Sequence, residues 1–202
     1  TMPTSFAPLE WHADELIWGY VPAVVAGFLL TAVPNWTGRL PVTGKPLLAW
    51  FLLWRAGRLA VLVSAWLGAP LAAVIDVAFL LVLGGVMARE IVAGKNHRNL
   101  RVLAVVGLLA LGNIVFHVEA MLGSTRGFGQ RGGIAAVLLL IMLIGGRIIP
   151  SFTRNWLVRQ APGRLPAPLD RVDMGIMAAS AVALVVWTMA PASPATALLA
   201  VV

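Results

Sequence analysis

Residues 112–120, GNIVFHVEA, lie near the end of a long apolar run that begins around Leu100. Asn113 and His117 are four residues apart, so a helix sets them on one face. Inside a membrane-grade helix neither side chain can be left unpaired without a cost of about 2–7 kcal/mol each. The run therefore reads as a membrane helix whose polar face is answered by something within the protein or bound to it. The rest of the chain reads as the scaffold that brings partners to this face.

Composition points to the same setting. The 202 residues are 60% hydrophobic and 11% charged, with mean hydropathy +0.91; soluble domains carry about 25% charged residues. Cysteine is absent, which excludes disulfides, thiolate metal sites and thiol redox chemistry. A metal would need His, Met, Asp, Glu or backbone oxygen. The net charge is +7, but no basic stripe is interleaved with aromatics. The excess therefore reads as basic cytoplasmic loops rather than as a nucleic-acid surface. The opening TMPTSFAPLEW lacks the basic start of a cleavable signal peptide.

A spanning helix needs about 20 mostly apolar residues. Six stretches qualify: 12–33, 47–66, 71–88, 100–121, 133–149 and 172–190; a seventh run starts at Ala195 and reaches Val202. The expected fold is all-α, a polytopic transmembrane helical bundle of six complete helices and the start of a seventh. Residues 1–202 form one membrane domain in this reading, and the abrupt ends point to an internal fragment of a longer protein. The connection at 67–70 is short enough to force an antiparallel hairpin. Pro150 is expected to end the fifth helix, since proline disfavours helix at the residue before it. The segment 127–132, GFGQRG, matches G-x-G-x-x-G formally, but it follows a membrane helix and lacks the βαβ context, so it reads as a loop.

Lys and Arg divide unevenly between the two sides. The first, third and fifth connections carry Arg39, Lys45, Arg89, Lys95, Arg98, Arg101, Arg154, Arg159, Arg164 and Arg171, while the opposite side carries Arg126 and Arg131. Basic loops stay cytoplasmic, so the Thr1 end is expected outside. Trp11, Trp36, Trp66 and Trp156 fall at helix ends, where indole anchors at the membrane interface.

This topology places His117 about 6 Å below the outer surface at 1.5 Å per residue, a depth similar to that of His12. Two imidazoles at one level on different helices could ligate haem or copper; the alternative is a pair of buried, hydrogen-bonded histidines with no ligand. Glu15, one turn after His12, is a further metal-ligand candidate, and Glu119, two residues from His117, points elsewhere. Arg58 and Asp76 differ in depth by about 3 Å across the hairpin, which suits an ion pair, with a proton or ion path as the alternative. Arg55 is one turn deeper than Arg58 and could bind a carboxylate. Arg147 lies at the opposite side from both histidines, and His97 sits in a basic loop and is expected to be solvated.

Four stretches together resemble the NnrS family of bacterial inner-membrane proteins: WHADELIWGY at 11–20, AGFLLTAVPNWTG at 26–38, GNIVFHVEA at 112–120 and GGRIIPSFTRNWL at 145–157. They recur in the family's order. The resemblance implies about twelve membrane helices, each of about 20 residues, bound haem and copper, and a role in the response to nitric oxide. His117 and His12 would then be ligands, Asn113 would orient His117, and Arg55 could meet a haem propionate. One position departs from the family: its first motif usually carries a second His directly before the Glu, where this chain has Asp14. Carboxylate can ligate copper but is a poor haem ligand. Beside the haem and copper reading stands an ion- or solute-coupled transporter using Arg55, Arg58 and Asp76, and beside both an assembly subunit without cofactor.

Overall fold

The computed structural model describes residues 3–160, 163, 165–167, 170–194 and 196. Among them every regular element is helical. All six apolar runs are helices: α1, Pro8–Thr37; α2, Lys45–Leu62; α3, Ala69–Ala93; α4, Leu100–Met121; α5, Phe128–Gln160; and α6, Arg171–Met189. The chain is a helical membrane protein. Helices α1, α3, α4, α5 and α6 are long and apolar enough to cross a membrane, whereas α2 carries Lys45, Arg55 and Arg58 within its 18 residues. The seventh run, apart from Thr196, and Pro162, Arg164 and Pro168 of the fifth connection lie outside the described residues.

The helices overrun the apolar stretches because polarity does not stop a helix; backbone geometry does. α1 continues past Pro34 until Gly38 turns left-handed at φ +70° and returns its N–H to the Pro34 carbonyl. α3 runs on through Arg89 and Glu90 to Gly94. The hairpin between α2 and α3 is as short as expected. Ser64–Leu67 forms one turn, and Gly68, at φ +90°, reverses the chain. Two expectations change. GFGQRG is not a loop: Gly127 turns at φ +67° and α5 begins at Phe128. Pro150 does not end α5, which runs ten residues beyond it. Residue 146, whose carbonyl loses its donor there, is a glycine, and membrane helices absorb such breaks through local adjustment.

By internal contacts the chain divides into two compact units, Thr1–Ile134 and Ala135–Val202. In the first, α3 is central and packs on α1, α2 and α4. Its buried row, Ala72, Asp76, Leu80, Leu83, Met87 and Ile91, follows the three-and-four spacing of one helix face. Asp76 is the charged member of that row. In the second unit Asp170 caps α6 by accepting from Val172 and Asp173 N–H at 2.8 and 3.0 Å, and only 6% of the most apolar window of α6 is buried within the chain.

Candidate metal centre

Asp76 is 4% exposed in the middle of the first unit, so both carboxylate oxygens need partners. Arg58 of α2 reaches it because the helices touch backbone to backbone at Gly57, where a Cβ would lie 3.0 Å from Asp76 Oδ1 and 3.2 Å from its Cα. Arg58 Nη2 donates to Asp76 Oδ1, forming the expected ion pair across the hairpin. The other oxygen, Oδ2, takes Asn113 Nδ2 at 3.0 Å and His117 Nε2 at 3.0 Å. Asn113 and His117 therefore share a face, as their spacing predicts, and both meet Asp76.

From α1 comes a second carboxylate. Asp14 is fully buried and accepts from Arg58 Nη1 at 2.9 Å, while Glu15 Oε1 stands 3.3 Å from the same nitrogen. Here α1 widens into π-helical turns over Glu15–Tyr20, a local irregularity common at functional sites. Trp18 Nε1 donates to the Leu109 carbonyl at 3.2 Å and Trp54 Nε1 to the Gly19 carbonyl at 2.9 Å, which fixes the bulge between α2 and α4.

An aromatic layer closes the group. The segment before α1 is tied to the hairpin: Pro3 O accepts from Ala65 N–H at 3.1 Å, Thr4 Oγ1 donates to Val61 O at 3.0 Å, and Ser5 N–H donates to Ser64 Oγ at 2.9 Å. It lays Phe6 5.6 Å from the His117 ring and 5.7 Å from Phe116, and Trp18 lies 4.6 Å from Phe116.

The other candidates lie elsewhere. His12 is exposed, on the face of α1 that carries exposed Leu16 and Tyr20, whereas Asp14 and Trp18 occupy the inward face. Arg55 is exposed on α2, and His97 is exposed as expected. Glu119 points away from the group and accepts from the Phe128 and Gly129 N–H at 3.0 and 2.8 Å, at the start of α5. Asp14, which stands where the family usually carries a second His, is the carboxylate that α1 brings to the group. Its signal was an acidic residue four before Trp18 within an apolar run.

One ligand atom from each of Asp14, Asp76 and His117 lies within 4.8 Å of the others. Asp14 Oδ1 and Asn113 Oδ1 are buried acceptors without a hydrogen-bond partner among the described residues, and a bound ion is one of the recognised answers to such atoms. Among the described residues Arg58 is the one guanidinium set against the three carboxylates of Asp14, Glu15 and Asp76, a donor set that suits a bound cation. The imidazole-and-carboxylate set suits a first-row metal ion such as copper. A porphyrin fits less well: the His117 ring is 3% exposed and covered by Phe6, and its Nε2 already meets Asp76.

A family model described as NnrS protein matches residues 1–202. No curated protein and no solved structure matches the chain.

Proposed function

The chain belongs to the NnrS family, and we propose that it serves the bacterial response to nitric oxide as an inner-membrane protein that binds copper at Asp14, Asp76 and His117 and binds haem as well. Membership supports a membrane protein of the nitric oxide response, and the metal assignment is the finer step. The observation that carries it is the meeting of one buried imidazole with two buried carboxylates, two acceptors of the group being unanswered. Copper or haem iron would supply a coordination position for a small diatomic molecule. The chain's own residues do the remainder. Arg58 holds both aspartates in place, Asn113 fixes Asp76 from α4, and Phe6, Phe116 and Trp18 keep water from the group. In this reading exposed His12 is the open imidazole for haem, exposed Arg55 is the cation for a propionate, and Glu15 closes the charge balance around the ion. The Thr1 end faces the periplasm and the basic loops the cytoplasm. The chain forms one membrane domain within a longer protein.

Copper and haem per mole of purified protein test the assignment. His117→Ala is expected to lose copper while still inserting, His12→Ala to lose haem and keep copper, and His97→Ala to keep both. Full copper occupancy in His117→Ala would overturn it. A reporter fused between residues 123 and 127 should be active only in the periplasm and one fused after Gly94 only in the cytoplasm; the reverse would invert the orientation. The transport reading uses the same Arg58 and Asp76. It would prevail if metal-free protein carried a solute across vesicles and Asp76→Asn abolished that flux.

A further inference from the structure

At the other end of α3 a cleft of about 450 Å³ opens between α1, α3 and the 38–44 connection. Its inner wall is apolar, with Leu30, Val33 and Met87, and Leu40 stands at its margin. Its rim is ionic. Glu90 takes Arg39 Nε on one carboxylate oxygen and Arg89 Nε and Nη2, at 3.2 and 3.0 Å, on the other. The carboxylate thus holds two guanidinium groups side by side. Among the described residues the two terminal nitrogens of Arg39 have no protein partner, and neither has Arg89 Nη1. Two arginines around one glutamate leave a positive charge and free donors in fork geometry, the arrangement that meets a phosphate.

The depth of the cleft selects the ligand. α3 has 25 residues, so it is about 37 Å long at 1.5 Å per residue, more than the hydrocarbon core of about 30 Å. A helix of that length reaches past the core, which suits its charged last turn, with Arg89 and Glu90, to headgroup level and Met87, one turn of apolar helix earlier, to the core side. Leu30 and Val33 lie one to two turns before the end of α1. An occupant must therefore be anionic at the rim and apolar below it. We propose that this cleft binds an anionic phospholipid, with its phosphate on Arg39 and Arg89 and an acyl chain against Leu30, Val33 and Met87. Thr37 and Asn96 keep the cleft in shape. Thr37 Oγ1 donates to Val33 O at 2.8 Å, and Asn96 Nδ2 donates to Trp36 O at 2.7 Å, tying the end of α1 to the turn after α3.

The test counts lipid bound to the detergent-purified full chain by native mass spectrometry, with phosphatidylglycerol, phosphatidylcholine and inorganic phosphate as probes. Phosphatidylglycerol is expected to stay bound where phosphatidylcholine washes off. Arg39→Ala with Arg89→Ala should cut its retention by about fivefold per arginine, whereas Lys95→Ala with Arg101→Ala, at the same end of the bundle, should leave it unchanged. Equal loss in both variants would mean diffuse surface charge and overturn the site. Inorganic phosphate displacing the lipid at equal concentration would mean a free-anion site and overturn the lipid. Leu30→Gln alters a half-buried side chain of the apolar wall and leaves both arginines in place, so it tests the cleft even if the arginine variants do not fold. It should lower phosphatidylglycerol retention, and unchanged retention there would overturn the acyl contact.

Discussion

Two carboxylates on α3, fourteen residues and about 21 Å apart, each pair with arginine in opposite surroundings. The Asp76 side chain is 3% exposed and its partner Arg58 8%, while Glu90 is 14% exposed and its partners Arg39 and Arg89 are 46% and 75% exposed. At Asp76 water cannot replace a lost partner, so each of Arg58, Asn113, His117 and Asp14 holds the others in place. At Glu90 water and lipid headgroups can. The first group is therefore rigid and fit to fix a metal, and the second is open and fit to take a ligand from outside. The difference lies in what packs over each carboxylate rather than in the residues themselves.

The comparison breaks most clearly at Asp76. Removing one member of a buried charged group leaves the others uncompensated, at a cost of about 3–5 kcal/mol. Asp76→Asn should lower thermal stability in detergent by that order and reduce folded yield. Arg58→Met with Asp76→Leu should not restore it, because Asp14, 0% exposed, still faces inward without its cation. Adding Asp14→Leu should bring recovery. Full recovery in the double variant would show that Asp14 does not depend on Arg58. Next in size is Gly129→Ala, where the new Cβ would overlap the Phe116 backbone nitrogen and Cα; backbone cannot yield, and overpacking costs about 1–3 kcal/mol. Gly27→Ala, with nothing within 4 Å of the new Cβ, should be neutral or stabilising by up to about 1 kcal/mol in a helix. Equal effects of the two would deny the close approach of α4 and α5.

These variants also separate what the sequence made legible from what it did not. Asn113 and His117 follow from i, i+4 spacing, and Arg58 with Asp76 follows from depth across a hairpin only a few residues long. Both rest on helix geometry, which a run of apolar residues fixes. Which face of α1 turns inward does not follow from apolarity, because that helix is apolar on both faces. His12, Leu16 and Tyr20 line its exposed side; Asp14 and Trp18 line its buried side. Residue chemistry points to His12 beside His117, while packing against α2 and α4 turns Asp14 toward the buried group. The ends of α3 and α5 lie beyond their apolar stretches for a related reason: hydropathy marks the bilayer, whereas helices stop at turns such as Gly94 or run through Pro150.

A smaller effect on the same group sharpens its assignment. Asn113 donates to the Asp76 oxygen that His117 also uses. On the proposed copper assignment, Asn113→Leu should leave the fold in place but weaken copper affinity by about 10–100-fold, as lost outer support of a ligand does. Copper titration of the purified variant reads this. Unchanged affinity would mean that Asp76 is not a ligand and serves only Arg58.

Glu90→Gln should be the mildest change. The substitution keeps an oxygen to accept from one arginine and removes the charge shared between two. Both arginines are substantially exposed, so solvent takes over the lost attraction, and an exposed ion pair is worth about 0–1 kcal/mol. Thermal stability should therefore stay within about 1 kcal/mol of wild type, and high salt should shrink even that, since the screening length falls to about 3 Å at 1 M. The same residue count lost at Asp76 costs several times more. If Glu90→Gln instead destabilised the chain as strongly as Asp76→Asn, the two sites on α3 would be equally dry, and the contrast between a sealed polar group and an open ionic cleft would fail at its open end.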